Sequence, residues 1–131
     1  MTPDSPAKAS KTIVYIEDDV DSVAFAKLAL KDQPYNVIAV TDAADSLDSL
    51  RQHKPDLVLL DITMPAMNGW DVLRRMRADD ELRQIPVIIV TARDSRMDEI
   101  YGTQIAKVQG YLRKPFDYHE FKQIIINVLA A

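Results

Sequence analysis

Five short apolar runs, each followed by a longer stretch with helical spacing, constrain this chain more than any other feature. The runs occupy residues 12–16, 37–40, 57–60, 87–90 and 111–112. Each is continuously apolar rather than alternating, the pattern of strands covered on both faces in a parallel sheet. Between them, Phe25, Ala26, Ala29 and Leu30, then Ala43, Ala44, Leu47 and Leu50, then Leu73 and Met76, recur at helical intervals. Five strands alternating with five helices predict an α/β fold, a doubly wound parallel sheet of about five βα units.

Local signals place the boundaries. Asp42 is a good N-cap for the second helix, Gln33-Pro34 closes the first, Lys54-Pro55 closes the second, and Ile85-Pro86 leads into the fourth strand. The fourth helix, residues 94–108, rests on Met97, Ile100, Tyr101 and Ile105. It contains Gly102 but no glycine at the expected C-terminal stop. Residues 1–11 hold Pro3, Pro6 and small side chains without periodicity, which predicts a flexible tail ahead of one domain at 12–131.

Composition excludes several function classes. With 131 residues and 47% hydrophobic content, the chain suits one compact domain. A net charge of −4 offers no basic surface for direct nucleic-acid contact. The absence of cysteine removes disulfides and thiolate metal sites. No apolar run approaches the ~20 residues that span a bilayer, and the first residues lack a signal-peptide core. A soluble cytoplasmic protein without membrane contact is the expectation.

In open parallel sheets, ligands bind beyond the carboxyl ends of the strands. Glu17, Asp18 and Asp19 follow strand one, Asp61 follows strand three, Thr91 and Ala92 follow strand four, and Lys114-Pro115 follows strand five. Carboxylates pressed together repel, and without compensation one would hold its proton at neutral pH. A hard dication relieves that repulsion, and Mg²⁺ takes carboxylate, water and phosphate oxygens. Zinc is disfavoured, because cysteine is absent and His53 and His119, expected on the surface, do not follow strands. The Lys114 ammonium suits a phosphate oxygen, Thr91 can donate to another, and the small Ala92 leaves room for the group. Such a set matches a carboxylate nucleophile attacking phosphorus, with an aspartyl phosphate as product.

Four segments, Ile16-Glu17-Asp18-Asp19, then Leu59-Leu60-Asp61-Ile62-Thr63-Met64-Pro65-Ala66-Met67-Asn68-Gly69, then Val90-Thr91-Ala92, then Gly110-Tyr111-Leu112-Arg113-Lys114-Pro115-Phe116, together resemble the receiver domain of bacterial response regulators, of the chemotaxis type, over about residues 12–130. The resemblance implies a flavodoxin-like strand order 2-1-3-4-5. It implies Asp61 as phosphoacceptor, and Mg²⁺ held by Glu17, Asp18, Asp61 and the backbone carbonyl of Thr63, with Asp19 outside the metal shell. It further implies Thr91 as switch hydroxyl, Lys114 as phosphate-binding lysine, Tyr111 as switch aromatic, and a cis Lys114-Pro115 bond. A sensor histidine kinase or histidine phosphotransfer protein would donate the phosphoryl group in a two-component phosphorelay. Such a domain is a signalling phosphoacceptor that catalyses only its own phosphorylation and dephosphorylation. Phosphorylation would bias the surface of helix four, strand five and helix five towards a downstream partner or a homodimer. Lys107-Val108-Gln109 departs from the family's usual Gly-Ala pair, and Arg93 and Thr63 stand where side chains can guide the hydrolytic water.

Alternatives remain. Glu17-Asp18-Asp19 alone would read as a solvated turn or helix cap, and Met64-Pro65 and Gly69 as a turn and a helix entry. A haloacid-dehalogenase-type phosphatase would carry an acid where Thr63 stands. A flavin module would need a Gly/Ser/Thr-rich loop where the three acids stand. A receiver-like scaffold that is never phosphorylated is the nearest rival. In the last helix, residues 117–130, Phe121, Ile125, Val128 and Leu129 form a core stripe. Ile126 falls outside it, and Ile124 is expected at its border, extending an apolar patch with Tyr101 and Ile105 of helix four.

Overall fold

Each apolar run becomes a strand of one parallel sheet in the order β2-β1-β3-β4-β5. The computed structural model describes residues 10–64, 68–93 and 95–131; the expected tail up to residue 9 lies outside them, as do Pro65, Ala66, Met67 and Asp94. The strands are β1 (Lys11–Ile16), β2 (Tyr35–Val40), β3 (Leu57–Leu60), β4 (Val87–Thr91) and β5 (Gly110–Arg113). Four strands run past the expected bounds, β4 at Thr91 and β5 at Gly110 and Arg113 among them. Lys11, assigned to the tail on sequence, opens β1 opposite Tyr35. Strand β2 likewise begins at Tyr35 rather than Val37, because the register with β1 recruits the half-buried Tyr35 and the exposed Asn36 at the sheet edge.

Alternate residues of each strand feed opposite faces, as the pleat requires. Val14, Ile16, Val58, Leu60, Val87 and Ile89 pack with Leu50, Val72, Leu73 and Met76 on one face. Ile13, Tyr15, Leu57, Leu59, Ile88 and Val90 pack with Val23, Ala26, Phe121 and Ile125 on the other. These partners come from the helices among the described residues: α1 (Val20–Ala29), α2 (Ser46–His53), α3 (Gly69–Arg77), α4 (Arg96–Ile100) and α5 (Tyr118–Ala130). Asp42 accepts the Ala44 N–H at 3.0 Å and starts a 3₁₀ turn, Ala43–Asp45, that runs into α2. Asn68 caps α3 and Asp117 caps α5, each side chain accepting a first-turn N–H.

Helix α4 is the exception to regular geometry. After five residues it widens into a π turn, Tyr101–Ile105, in which the Ala106 N–H donates to the Tyr101 carbonyl at 2.8 Å. Gly102 does not stop this helix. A Cβ on it would stand 3.1 Å from the Trp70 ring and 3.2 Å from the Tyr111 ring, so its absence lets α4 sit down between two aromatics. The stop is Lys107 in the left-handed region, at φ 54°. Ile124, expected beside α4, is seated over Gly110 and Ile88 and joins the core on the α1/α5 face. His53 and His119 are both exposed, as expected.

Lys54 ends α2 in the left-handed conformation, φ 48° and ψ 60°, its N–H donating to the Leu50 carbonyl. Glycine adopts that region without the steric penalty of a Cβ. Lys54→Gly should therefore raise unfolding free energy by about 1 kcal/mol, read as a higher denaturant midpoint at unchanged slope. A lower midpoint would contradict the cap assignment.

Candidate functional site

The ladder carries the first residue past β1, β3 and β5 into fixed positions. The Glu17 N–H donates to the Val40 carbonyl at 3.1 Å, the Asp61 N–H to Ile16 at 3.2 Å, and the Lys114 N–H to Thr91 at 2.7 Å. Glu17 is 1% exposed, Asp61 4% and Thr91 fully buried, whereas Asp18 is exposed. Carboxylate oxygens of Glu17, Asp18 and Asp61 lie within 4.8 Å of one another. Two unit charges ~4 Å apart interact by about 4 kcal/mol at an effective dielectric of 20, so this cluster needs a cation.

Lys114 supplies one. Its Nζ donates to Glu17 Oε1 at 2.7 Å and to Ser22 Oγ at 3.1 Å, and stands 3.9 Å from Asp61 Oδ2. Burial pushes the Glu17 carboxyl above the usual range, the hydrogen bond from Lys114 pulls it back, and nearby Asp61 adds to the rise. The net direction is upward. Three carboxylates face one ammonium, and this all-oxygen donor set fits a hard dication.

The remaining atoms of Asp61 and Thr91 are disposed differently. Asp61 Oδ1 accepts both the Thr63 N–H at 2.8 Å and the Thr63 hydroxyl at 2.6 Å, leaving Oδ2 on the Lys114 side. Thr91 Oγ1 accepts the Arg93 N–H at 3.0 Å, which does not commit its own proton. Asp19 turns away to cap α1, accepting from the Asp21 N–H and from Ser22 Oγ at 2.8 Å. The Ser22 hydroxyl in turn draws the Asp19 carboxyl below the usual range. The Lys114-Pro115 bond is cis.

Behind Thr91 lies a second polar knot. Arg93 does not point freely into the site, because its guanidinium pairs with Asp98 Oδ2 at 2.8 Å. Asp98 Oδ1 accepts the Trp70 indole N–H at 3.3 Å, and Trp70 meets Tyr101 edge-on with centroids 4.9 Å apart. Tyr111 is half-buried against Gly102, and its hydroxyl is buried without a hydrogen-bond partner among the described residues. Burial, then the Asp98 charge, pushes that phenol up.

The strand-end residues flagged on sequence, Glu17, Asp18, Asp61, Thr91 and Lys114, are thus brought to one edge. Sequence reasoning missed four contributors: Tyr15, whose hydroxyl donates to Glu17 Oε1 at 3.3 Å, Ser22, the Trp70–Asp98 contact, and the tight seat of Gly69. A phenol in an otherwise aliphatic strand was the available signal for the first, since a buried Tyr hydroxyl seeks a partner.

The family model of the response regulator receiver domain matches residues 13–126. The chain is 34% identical over 119 residues to the protein PilH of Pseudomonas aeruginosa, covering 91% of this chain and 98% of that one. It is also 34% identical over 121 residues to the protein ycf29 of Pyropia yezoensis, covering 92% of this chain but only 54% of that longer relative. Among solved structures it is similar to the N-terminal domain of a response regulator receiver protein from Methanoculleus marisnigri, with TM-score 0.71, 32% identity and coverage of 92% of this chain and 98% of the other. With its motifs at one sheet edge and this match across most of its length, the chain belongs to the response regulator receiver domain family.

Gly69 shows how tightly α3 is docked onto the acidic edge. A Cβ there would fall 2.5 Å from Ile62 Cα and 2.6 Å from the Asp61 carbonyl oxygen, both backbone atoms that cannot rotate aside. Gly69→Ala should force α3 and the Asp61–Thr63 segment apart, destabilising the fold by about 1–3 kcal/mol. Thermal melting checks this. A variant that melts with the wild type would show that the close approach does not exist.

Proposed function

We propose that Asp61 is the phosphoacceptor, taking a phosphoryl group from the phosphohistidine of a sensor histidine kinase or histidine phosphotransfer protein. The observation that carries this reading is the buried Asp61 carboxylate with Oδ2 facing the Lys114 ammonium at 3.9 Å, among the oxygens of Glu17 and Asp18. Glu17, Asp18, Asp61 and the Thr63 carbonyl would hold Mg²⁺, which supplies charge neutralisation at the phosphoryl oxygens and a template for in-line attack. Asp61 Oδ2 attacks phosphorus, the bond from phosphorus to the donor nitrogen breaks, and that nitrogen leaves with the bond pair. Lys114 shifts from Glu17 towards one phosphoryl oxygen, and the uncommitted Thr91 proton is donated to another. The domain, extended to Lys11 by β1, then acts as a signalling element in the cytoplasm rather than as an enzyme with an outside substrate.

Thr91 and Tyr111 are the proposed switch. Movement of Thr91 towards the phosphoryl group drags Arg93, whose backbone N–H it holds, and through Asp98 loosens the contact with Trp70. The output surface is the side of α4, where Met97 is 73% and Ile105 66% exposed and Ile100 and Tyr101 are also open to solvent. A downstream protein or a second copy of the chain is its proposed occupant.

Acetyl phosphate with Mg²⁺ should add one phosphoryl group by intact mass, because the groups that stabilise the transfer reside in this site rather than in a donor protein. Asp61→Asn should abolish the addition, and undiminished incorporation by that variant would overturn the assignment. In a parallel calorimetric titration, Asp18→Ala should lose at least tenfold in Mg²⁺ affinity while Asp19→Ala, which removes only a helix cap, changes it little. Equal losses would mean that the acidic run is read in the wrong register.

A further inference from the structure

Tyr15 belongs to β1 yet ends at the site. Its ring is buried in the core of the α1/α5 face with Val23, Ala26 and Phe121, and its hydroxyl reaches past the end of the strand to Glu17 Oε1 at 3.3 Å. We infer that Tyr15 is a positioning residue for the metal site, its core-locked hydroxyl fixing the Glu17 carboxylate in the rotamer that faces Asp18 and Asp61. This rests on the proposed role of Glu17 as a metal ligand.

The argument turns on which donor can hold Glu17 still. Among the described residues, three groups donate to this carboxylate: Lys114 Nζ at 2.7 Å and the Tyr15 hydroxyl on Oε1, and the Asp19 N–H on Oε2 at 3.3 Å. The shortest contact comes from the least fixed group. Lys114 is a flexible chain shared among Glu17, Ser22 and Asp61, and a phosphoryl group on Asp61 draws it further from Glu17. The Asp19 N–H lies at the entry to α1 and holds only the other oxygen, Oε2. Tyr15 has two rotatable bonds, both set by core packing, and its hydroxyl does not depend on where Lys114 goes. It therefore leaves Glu17 Oε1 with a donor after Lys114 departs, where a phenylalanine would strand a buried carboxylate oxygen. Ligand-orienting hydrogen bonds of this kind are commonly worth 10–100-fold in metal affinity.

Tyr15→Phe keeps the ring and deletes the hydroxyl. The variant should melt within a few degrees of the wild type without metal, yet bind Mg²⁺ about tenfold more weakly by calorimetry. Its acetyl phosphate reaction should need correspondingly more Mg²⁺ and regain the wild-type rate when Mg²⁺ saturates. A role confined to filling the core would not move the midpoint of the Mg²⁺ titration, so wild-type affinity in Tyr15→Phe overturns the inference. In the wild type, the ¹³Cζ resonance of Tyr15 should shift along the same Mg²⁺ isotherm, and an unresponsive resonance also overturns it. Asp18→Ala separates the two claims. Mg²⁺ binding that needs Asp18 but not the Tyr15 hydroxyl sinks only the positioning role, whereas a wild type that binds no Mg²⁺ sinks the metal site and Tyr15's role with it.

Discussion

Repulsion among Glu17, Asp18 and Asp61 is the constraint around which the rest of the structure is arranged. A solvated acidic turn relieves such repulsion by letting side chains drift apart, but here two of the three acids are buried and all three are held within 4.8 Å. The backbone prevents relaxation, because Glu17 and Asp61 extend the hydrogen-bond ladder by one residue beyond their strands. Their positions are therefore set by the register of β1 against β2 and β3, itself specified by apolar runs buried on both faces. Core packing confines the like charges, and the confinement favours whatever cation arrives.

Lys114 is the resident answer, and its placement is as constrained as that of the acids. Its backbone N–H is fixed on the Thr91 carbonyl at the end of β4, so the ammonium enters from the β5 side and meets Glu17 first and Asp61 second. The Glu17 carboxyl is pushed upward chiefly by its burial, against the pull of Lys114. Around this charge pair, neutral groups complete the hydrogen bonding: Tyr15 and Ser22 on the α1 side, Thr63 on Asp61 itself. From Thr91 the contacts lead outward through Arg93 and Asp98 to Trp70 and the irregular α4. There the π turn follows α4, and Gly102 is closely seated between Trp70 and Tyr111.

The sheet was legible because uninterrupted runs such as Leu57–Leu60 suit a doubly covered strand. The acids were legible because they stand directly after such runs. What escaped was information carried by geometry between elements. Nothing local to Lys11 or Tyr35 announces a strand; their pairing is imposed by the neighbouring register. The 3.6-residue pattern of Met97, Ile100, Tyr101 and Ile105 cannot reveal a π turn, because one inserted residue shifts the face without changing composition. Lys107 ends the helix at a φ that sequence rules assign to glycine. Ile124 was expected beside α4 because periodicity gives a face and not the partner; the missing side chain of Gly110 decides where it seats. Ser22 and Tyr15 reach the site only once α1 and β1 are folded together, so no spacing rule could place them.

A ¹⁵N–¹H correlation spectrum recorded through a Mg²⁺ titration addresses the confined acidic edge most directly, since it needs no substitution and reports every backbone N–H at once. If the edge is a dication site held by the three acids, the largest shifts fall on residues 17–19 and 61–63, with smaller ones at Thr91 and Lys114, all following one saturable isotherm. Shifts centred elsewhere, or none at millimolar Mg²⁺, would contradict the account.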